Sequence, residues 1–219
     1  MALSPCTIRL TKTRNLNTNA DRDAALPHRS VESITFSEYF FLNVLDLEMT
    51  EKKFWELIDS AQSSGLEEKA LRSHLSSLLV DLSGKDLIDF TNHYNRRMDQ
   101  LYDWRIWNAV YLIRGGCGDD RFFDFRDFLV SRGKATFKRV KADPESLLDD
   151  LDANHHLHFG EFHFHSTAID VYEERNSTEF PRTHEWADLK GVEIDPDDEK
   201  QVKKHFPRIW AHLNSIGKR

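Results

Sequence analysis

The chain has 219 residues, 30 Lys and Arg against 37 Asp and Glu, and a formal net charge of −7 with the histidines neutral. This length suits one good hydrophobic core with extensions, and the acidity argues against a protein that coats nucleic acid or anionic membrane, both of which need a basic footprint. Cys6 and Cys117 stand too far apart for a disulfide framework or paired Cys-x-x-Cys metal arms, which points to a reducing, cytoplasmic setting, and no apolar run reaches the roughly 20 residues of a membrane span.

Residues 1–30 are rich in Thr, Asn and Arg, carry no acid before Asp21 and show no sustained helical stripe, so they read as an arm that is mobile at least to Ser30. Ile8 and Leu10 alternate with polar residues instead of forming the amphipathic face of an organelle transit peptide. The run from Phe36 to Leu47 is too short to cross a bilayer and too apolar to stay solvated. It is expected either to pack on the domain or to precede the true start at Met49. The organisation that follows is an N-terminal extension over 1–48 and a helical domain over 49–219.

Thr50 and Glu51 open a helix as N-cap and first-turn acid, with Phe54, Ile58 and Ala61 on one face and Gly65 as its stop. Leu71, Leu75, Leu78 and Leu82 then recur at helical spacing. The cap signal Ser83-Gly84-Lys85-Asp86 introduces a third stripe of Leu87, Phe90, Tyr94, Met98 and Leu101. In the stretch that follows, Ile106, Trp107, Val110, Tyr111, Leu112 and Ile113 leave almost no polar face, which predicts a helix enclosed in a bundle. Gly115 and Gly116 offer the left-handed conformation that closes it, and Asp119 or Asp120 is expected to cap the next helix, whose apolar face is Phe122, Phe125 and Leu129. Gly133 separates that helix from a short one around Phe137 and Val140, and Asp143-Pro144-Glu145 restarts the chain with a cap and a proline at the first helical position. Beyond Leu151 the pattern loosens into a histidine-rich stretch, recovers in a helix over Ala168, Ile169, Val171 and Tyr172, and passes through a loop over residues 176–198. The tail of Val202, Phe206, Ile209, Trp210 and Leu213 is amphipathic and broken in two by Pro207.

Several of these landmarks occur together in a known family. The Met-Thr-x-x-x-Phe-Trp start at Met49 to Trp55, the Trp104-x-x-Trp107 helix, the loop from Gly115 to Asp120 and the Phe206-Pro207-Arg208-x-Trp210 element resemble the largely bacterial family catalogued as domain of unknown function 4240. The chain departs from that pattern at Arg105, where an acid is expected, and in its histidine-rich stretch. The resemblance implies a compact, helical, cytoplasmic domain and supplies no established activity.

Two clusters carry functional chemistry. The loop of Gly115, Gly116, Cys117, Gly118, Asp119 and Asp120 places two carboxylates, a thiol and close-approach glycines together, as anion nests and hard-metal sites do; a plain helix junction with a buried cysteine needs the same residue types. His156, His158, His163 and His165, with His155 and Glu161 among them, would surround zinc, copper or nickel if the stretch formed an extended hairpin. Otherwise they are solvated or core histidines, and no cofactor is expected. The basic run Arg132, Lys134, Lys138, Arg139 and Lys141 is the one positive patch, a solvated face or a contact for phosphate or nucleic acid, the latter disfavoured by the net charge. The sequence holds no nucleophile elbow and no Gly-x-x-x-x-Gly-Lys loop.

The expected protein is therefore an all-α, single-domain helical bundle with a flexible N-terminal arm. Its core is drawn from Trp55, Leu75, Phe90, Trp104, Trp107, Val110, Phe122, Phe125, Leu129 and Trp210. The expected function is a non-catalytic interaction or regulatory module for an unknown protein partner, in one form an acidic inhibitor or immunity-type partner of a basic protein. The alternative is a metal-dependent enzyme using the histidine cluster or Asp119 and Asp120.

Overall fold

The computed structural model describes residues 49–63, 68–160 and 163–218, so expectations placed on residues 1–48, on Gly65 and on Glu161 lie outside the described residues. Among the described residues there are nine α-helices: α1 (Glu51–Ser63), α2 (Glu68–Leu79), α3 (Gly84–Gln100), α4 (Trp104–Arg114), α5 (Asp119–Ser131), α6 (Gly133–Ala142), α7 (Thr167–Asn176), α8 (Glu199–His205) and α9 (Pro207–Ser215). Two 3-10 segments, Pro144–Asp150 and Phe164–Ser166, lie between α6 and α7. The fold is all-α; the nearest thing to a sheet among the described residues is an isolated parallel bridge between Asp103 and Lys190.

Local chemistry sets the helix ends. Thr50 Oγ1 accepts from Lys53 N, and Ser83 Oγ accepts from Asp86 N while donating to the Asp86 carboxylate, so each hydroxyl caps its helix. Asp143 accepts from Glu145 N ahead of Pro144. Pro207 cannot continue α8 and instead begins α9, where its missing N–H is no loss. Helix α2 stops at Leu79, so Leu82 sits in the following turn, whose carbonyls at Val80 and Leu82 are bound by Arg175 from α7.

Helix α3 is the centre of the bundle. Leu87, Phe90, Tyr94, Met98 and Leu101 are all fully buried, and α3 packs against α1, α5 and α7. Helix α4 lies at one side, against the first 3-10 segment and α9. That position corrects the expected core: Val110 and Ile106 are buried, but Trp104, Trp107 and Trp210 are only partly so, and Tyr111 is 38 % exposed. A helix at the side of a bundle leaves part of its surface to solvent, however apolar its sequence.

Helices α1 and α6 are joined by a cap supplied from outside. Gly133 has φ +90°, and Asp59 Oδ1 accepts from Lys134 N at 2.9 Å so closely above Gly133 that a Cβ there would collide with it. Gly133→Ala is expected to cost about 1–3 kcal/mol and Asp59→Ala about 0.5–2 kcal/mol in urea unfolding. The double variant should lose less than the sum, because the collision disappears; strict additivity would show that Asp59 does not sit over Gly133.

Candidate functional site

The α4–α5 junction is built as a glycine stop. Gly115 takes the left-handed conformation at φ 72°, and its N–H and that of Gly116 donate to Tyr111 O. The next cap differs from expectation. Gly118 is the N-cap of α5 without any side-chain hydrogen bond, and Asp119 and Asp120 are the first two helical residues, both exposed. They complement the helix dipole instead of capping it. Cys117 is buried at 8 % exposure, and its carbonyl accepts from Trp107 Nε1 at 2.8 Å. Burial pushes its thiol up to about 11, so it is a packing group and not a nucleophile at neutral pH.

Beside this junction lies a cleft of about 250 Å³. One wall is α4, through Trp104, Trp107 and Tyr111, with Cys117 at its end. The opposite wall is Glu193, Ile194 and Pro196, from the stretch read in the sequence only as loop. That stretch is held by backbone chemistry: Trp104 N donates to Lys190 O at 2.8 Å, Lys190 N to Tyr102 O at 3.1 Å, and Asn108 Nδ2 to Val192 O at 3.3 Å. Further back, Asp99 accepts from Ala187 N while its other oxygen stands 2.9 Å from His184 Nε2. Buried Ile194 was the sequence signal that this loop docks.

The aromatic wall continues inward. Trp104 stacks on Trp107 at 4.9 Å between centroids, Trp107 on Phe122 at 4.6 Å, and Phe122 leads on to Phe125, so a ladder of rings runs from the cleft surface into the core. The charges around the cleft divide by partner. Arg105 pairs with Asp103, Arg121 with Asp124, and Arg114 donates to Leu157 O with its guanidinium over Phe159. Asp119, Asp120 and Glu193 are exposed and have no ion-pair partner among the described residues. Of these, Glu193 lines the cleft itself, whose lining carries no Lys or Arg.

The histidines do not form one site. His165 is drawn to buried Asp127, with Nδ1 at 3.0 Å from the carboxylate, which also accepts from Tyr94 Oη and from the backbone N–H groups of Phe164 and His165. His163 takes the left-handed conformation at φ 48° beside it. Among the described residues, Asp152, His156 and His158 bring one ligand atom each within 4.8 Å of one another. His158 Nε2 is 2.8 Å from Asp152 Oδ2, and Asp152 Oδ1 accepts from the N–H groups of Asn154 and His156. The backbone N–H of His156 first, then the His158 ring, holds the Asp152 carboxyl down at about 2. Asp127, Tyr94 and Asp152 were not legible as partners of these histidines, because lone acids and tyrosines carry no spacing signal. The basic run is partly neutralised, with Arg139 paired to Asp149 and Asp150 and Lys141 donating to Gln100.

A family model described as a protein of unknown function (DUF4240) matches residues 49–174, more than half of the chain. The chain belongs to this family. The DUF4240 match includes α4, the glycine junction and the Asp152 cluster, whereas the far wall of the cleft and the Phe206–Trp210 element lie beyond it. No curated protein and no solved structure matches the chain.

Since neither aspartate caps α5, Asp119→Asn and Asp120→Asn should each lower stability by only the dipole contribution, roughly 0.3–1 kcal/mol in chemical denaturation. In the native protein at pH 8, Cys117 should resist alkylation by iodoacetamide and react on unfolding. Rapid native alkylation would place the thiol in solvent.

Proposed function

We propose that the protein is a non-catalytic interaction module of the cytoplasm whose cleft beside α4 takes a basic segment of a protein partner. The observation that carries this reading is the pairing of aromatic rings, partly exposed Trp104 and exposed Tyr111, with Glu193, a carboxylate in the cleft wall that has no ion-pair partner among the described residues. A guanidinium or ammonium laid over such rings gains cation–π attraction, and the Glu193 carboxylate adds a charge-assisted bond. The acidic chain steers a basic partner towards that face. Val192, at 76 % exposure, extends the apolar surface beyond the cleft. An inhibitor or immunity-type partner of a basic protein is one concrete form. An Arg-Gly peptide titrated by calorimetry is expected to bind, with affinity falling roughly tenfold in Tyr111→Ala and in Glu193→Gln but not in Glu56→Gln on α1. Equal losses in all three would reduce the binding to general charge attraction and sink the site.

A second reading rests on Asp152, His156 and His158. Two imidazoles and a carboxylate with ligand atoms this close are a three-ligand set for zinc or another divalent transition metal, leaving coordination positions open to substrate. Asp152 is ionised at neutral pH and His156 and His158 are exposed, so only the short Asp152–His158 contact must yield to the ion. Untagged protein titrated with zinc chloride is expected to bind one equivalent and to melt at a higher temperature, since an ion held only by the folded state stabilises it. Binding that survives both His156→Ala and His158→Ala would remove this reading.

A further inference from the structure

A larger cavity, about 390 Å³, opens between α1, α3 and α6, and it is lined by different chemistry. Trp55 and Phe137, whose centroids are 5.1 Å apart, form an apolar floor. Arg97 enters from α3 with its side chain only 8 % exposed, its guanidinium 5.8 Å from the Trp55 ring. Lys138 and Lys141 enter from α6, and Gln100, which accepts from Lys141 Nζ at 2.7 Å, completes that side. Three cationic side chains thus share a cavity, on a chain of net charge −7, with a single carboxylate, Glu51.

Glu51 behaves as an internal stand-in for an anion. Its Oε1 lies 3.1 Å from Arg97 Nη2, and its own side chain is 58 % exposed at the mouth of the cavity. Arg97 before any other group holds its carboxyl below the usual range, with Lys134 adding to the effect. A guanidinium carries five N–H donors in a planar fork, so one glutamate oxygen leaves most of that capacity unused. Deeper in, Trp55 is 2 % exposed and its Nε1–H is buried without an acceptor: the indole approaches the Glu51 carboxylate, but the geometry falls short of a hydrogen bond. A buried N–H left in this state is costly, and it is satisfied when an acceptor enters.

We propose that this cavity is a binding site for a small anion, a phosphate monoester or a carboxylate carried on a flat apolar body. Its head replaces Glu51 on Arg97 and meets Lys138 and Lys141, while its body lies on the floor that Trp55 and Phe137 form together. The volume lies within the range of small-molecule pockets, roughly 300–1,000 Å³. The basic run on α6 then has a role that its sequence left open, since Lys138 and Lys141 are the two members of it that face this cavity. The site is independent of the cleft beside α4, so it stands whether or not a basic partner binds there.

The test uses the full chain and follows the tryptophan indole N–H resonances in ¹H–¹⁵N spectra, with Trp55 assigned by Trp55→Phe. Phenyl phosphate and benzoate, as separate titrants, distinguish the two head groups, and inorganic phosphate reports the head alone. Saturable shifts of the Trp55 resonance are expected with at least one aromatic anion, and weaker binding with inorganic phosphate. Glu51→Gln, which removes the competing carboxylate from an exposed position, should tighten binding several-fold. Lys141→Gln should weaken it roughly tenfold. Both substitutions keep Arg97 itself, and glutamine at 51 can still accept from its guanidinium, so both variants should remain folded. No saturable shift with either aromatic anion would overturn the proposal, as would an affinity unmoved by both substitutions. Inorganic phosphate binding as tightly as phenyl phosphate would overturn the part played by the apolar floor.

Discussion

Asp127 is 2 % exposed, and a carboxylate taken that far out of water is tolerable only when donors replace its hydration. Four do: the Tyr94 hydroxyl from α3, the backbone N–H groups of Phe164 and His165, and His165 Nδ1. The consequence is topological. Helix α5 is tied to the central helix α3 and, through the same oxygens, to the segment that returns the chain towards α7. Losing any one donor leaves a charge buried with fewer partners, so the network holds together as a unit. Burial, followed by the neighbouring carboxylate, drives the Tyr94 hydroxyl well above its usual range, which keeps it a donor at every physiological pH.

The same constraint decides what the histidine-rich stretch can do. Once His165 is spent on Asp127, a four-imidazole site is no longer available, and the ligand-like geometry contracts to His156 and His158 around Asp152. His155 goes elsewhere again, with its ring 5.0 Å from that of His212 on α9. Five neighbouring histidines in sequence therefore serve at least three environments, since His155 and His163 both take left-handed conformations that redirect the chain between them.

A parallel division of labour operates at α4. Its inner face is committed to the 3-10 segment and α9, and its outer aromatics are propped by the ladder through Trp107 to Phe122. Arg126 lies against the inner part of that ladder, its guanidinium 4.4 Å from the Tyr102 ring and 5.5 Å from Phe122. Burial pulls its pKa down to about 10, still charged at neutral pH. The rings at the cleft are thus held rigidly from behind, which lowers the entropy that a ligand must overcome to meet them. Arg97, by contrast, presents its charge to an open cavity, whereas the Arg126 guanidinium donates to Met98 O and is covered by aromatic rings.

What the sequence determined by itself is the set of helices and most of their ends. Periodicity of 3.6 placed Leu87, Phe90, Tyr94 and Met98 on one buried face, and Ser83, Thr50, Asp143, Gly115 and Pro207 announced boundaries through capping, left-handed backbone or a missing donor, all effects that reach no further than a few residues. The family also showed itself locally, in the spacing of Trp104, Trp107 and the glycine loop. Tertiary structure alone decided which apolar faces are covered: Trp104, Tyr111 and Ile106 stand on one largely apolar helix, and only the placement of α4 at the side of the bundle leaves the first two at a cleft. It also decided every long-range polar pairing. Asp127 with His165, Asp59 over Gly133, Arg97 with Glu51 and the Lys190 bridge to α4 join residues that no periodicity connects, because a hydrogen bond depends on position in space and leaves no trace in the spacing of the chain.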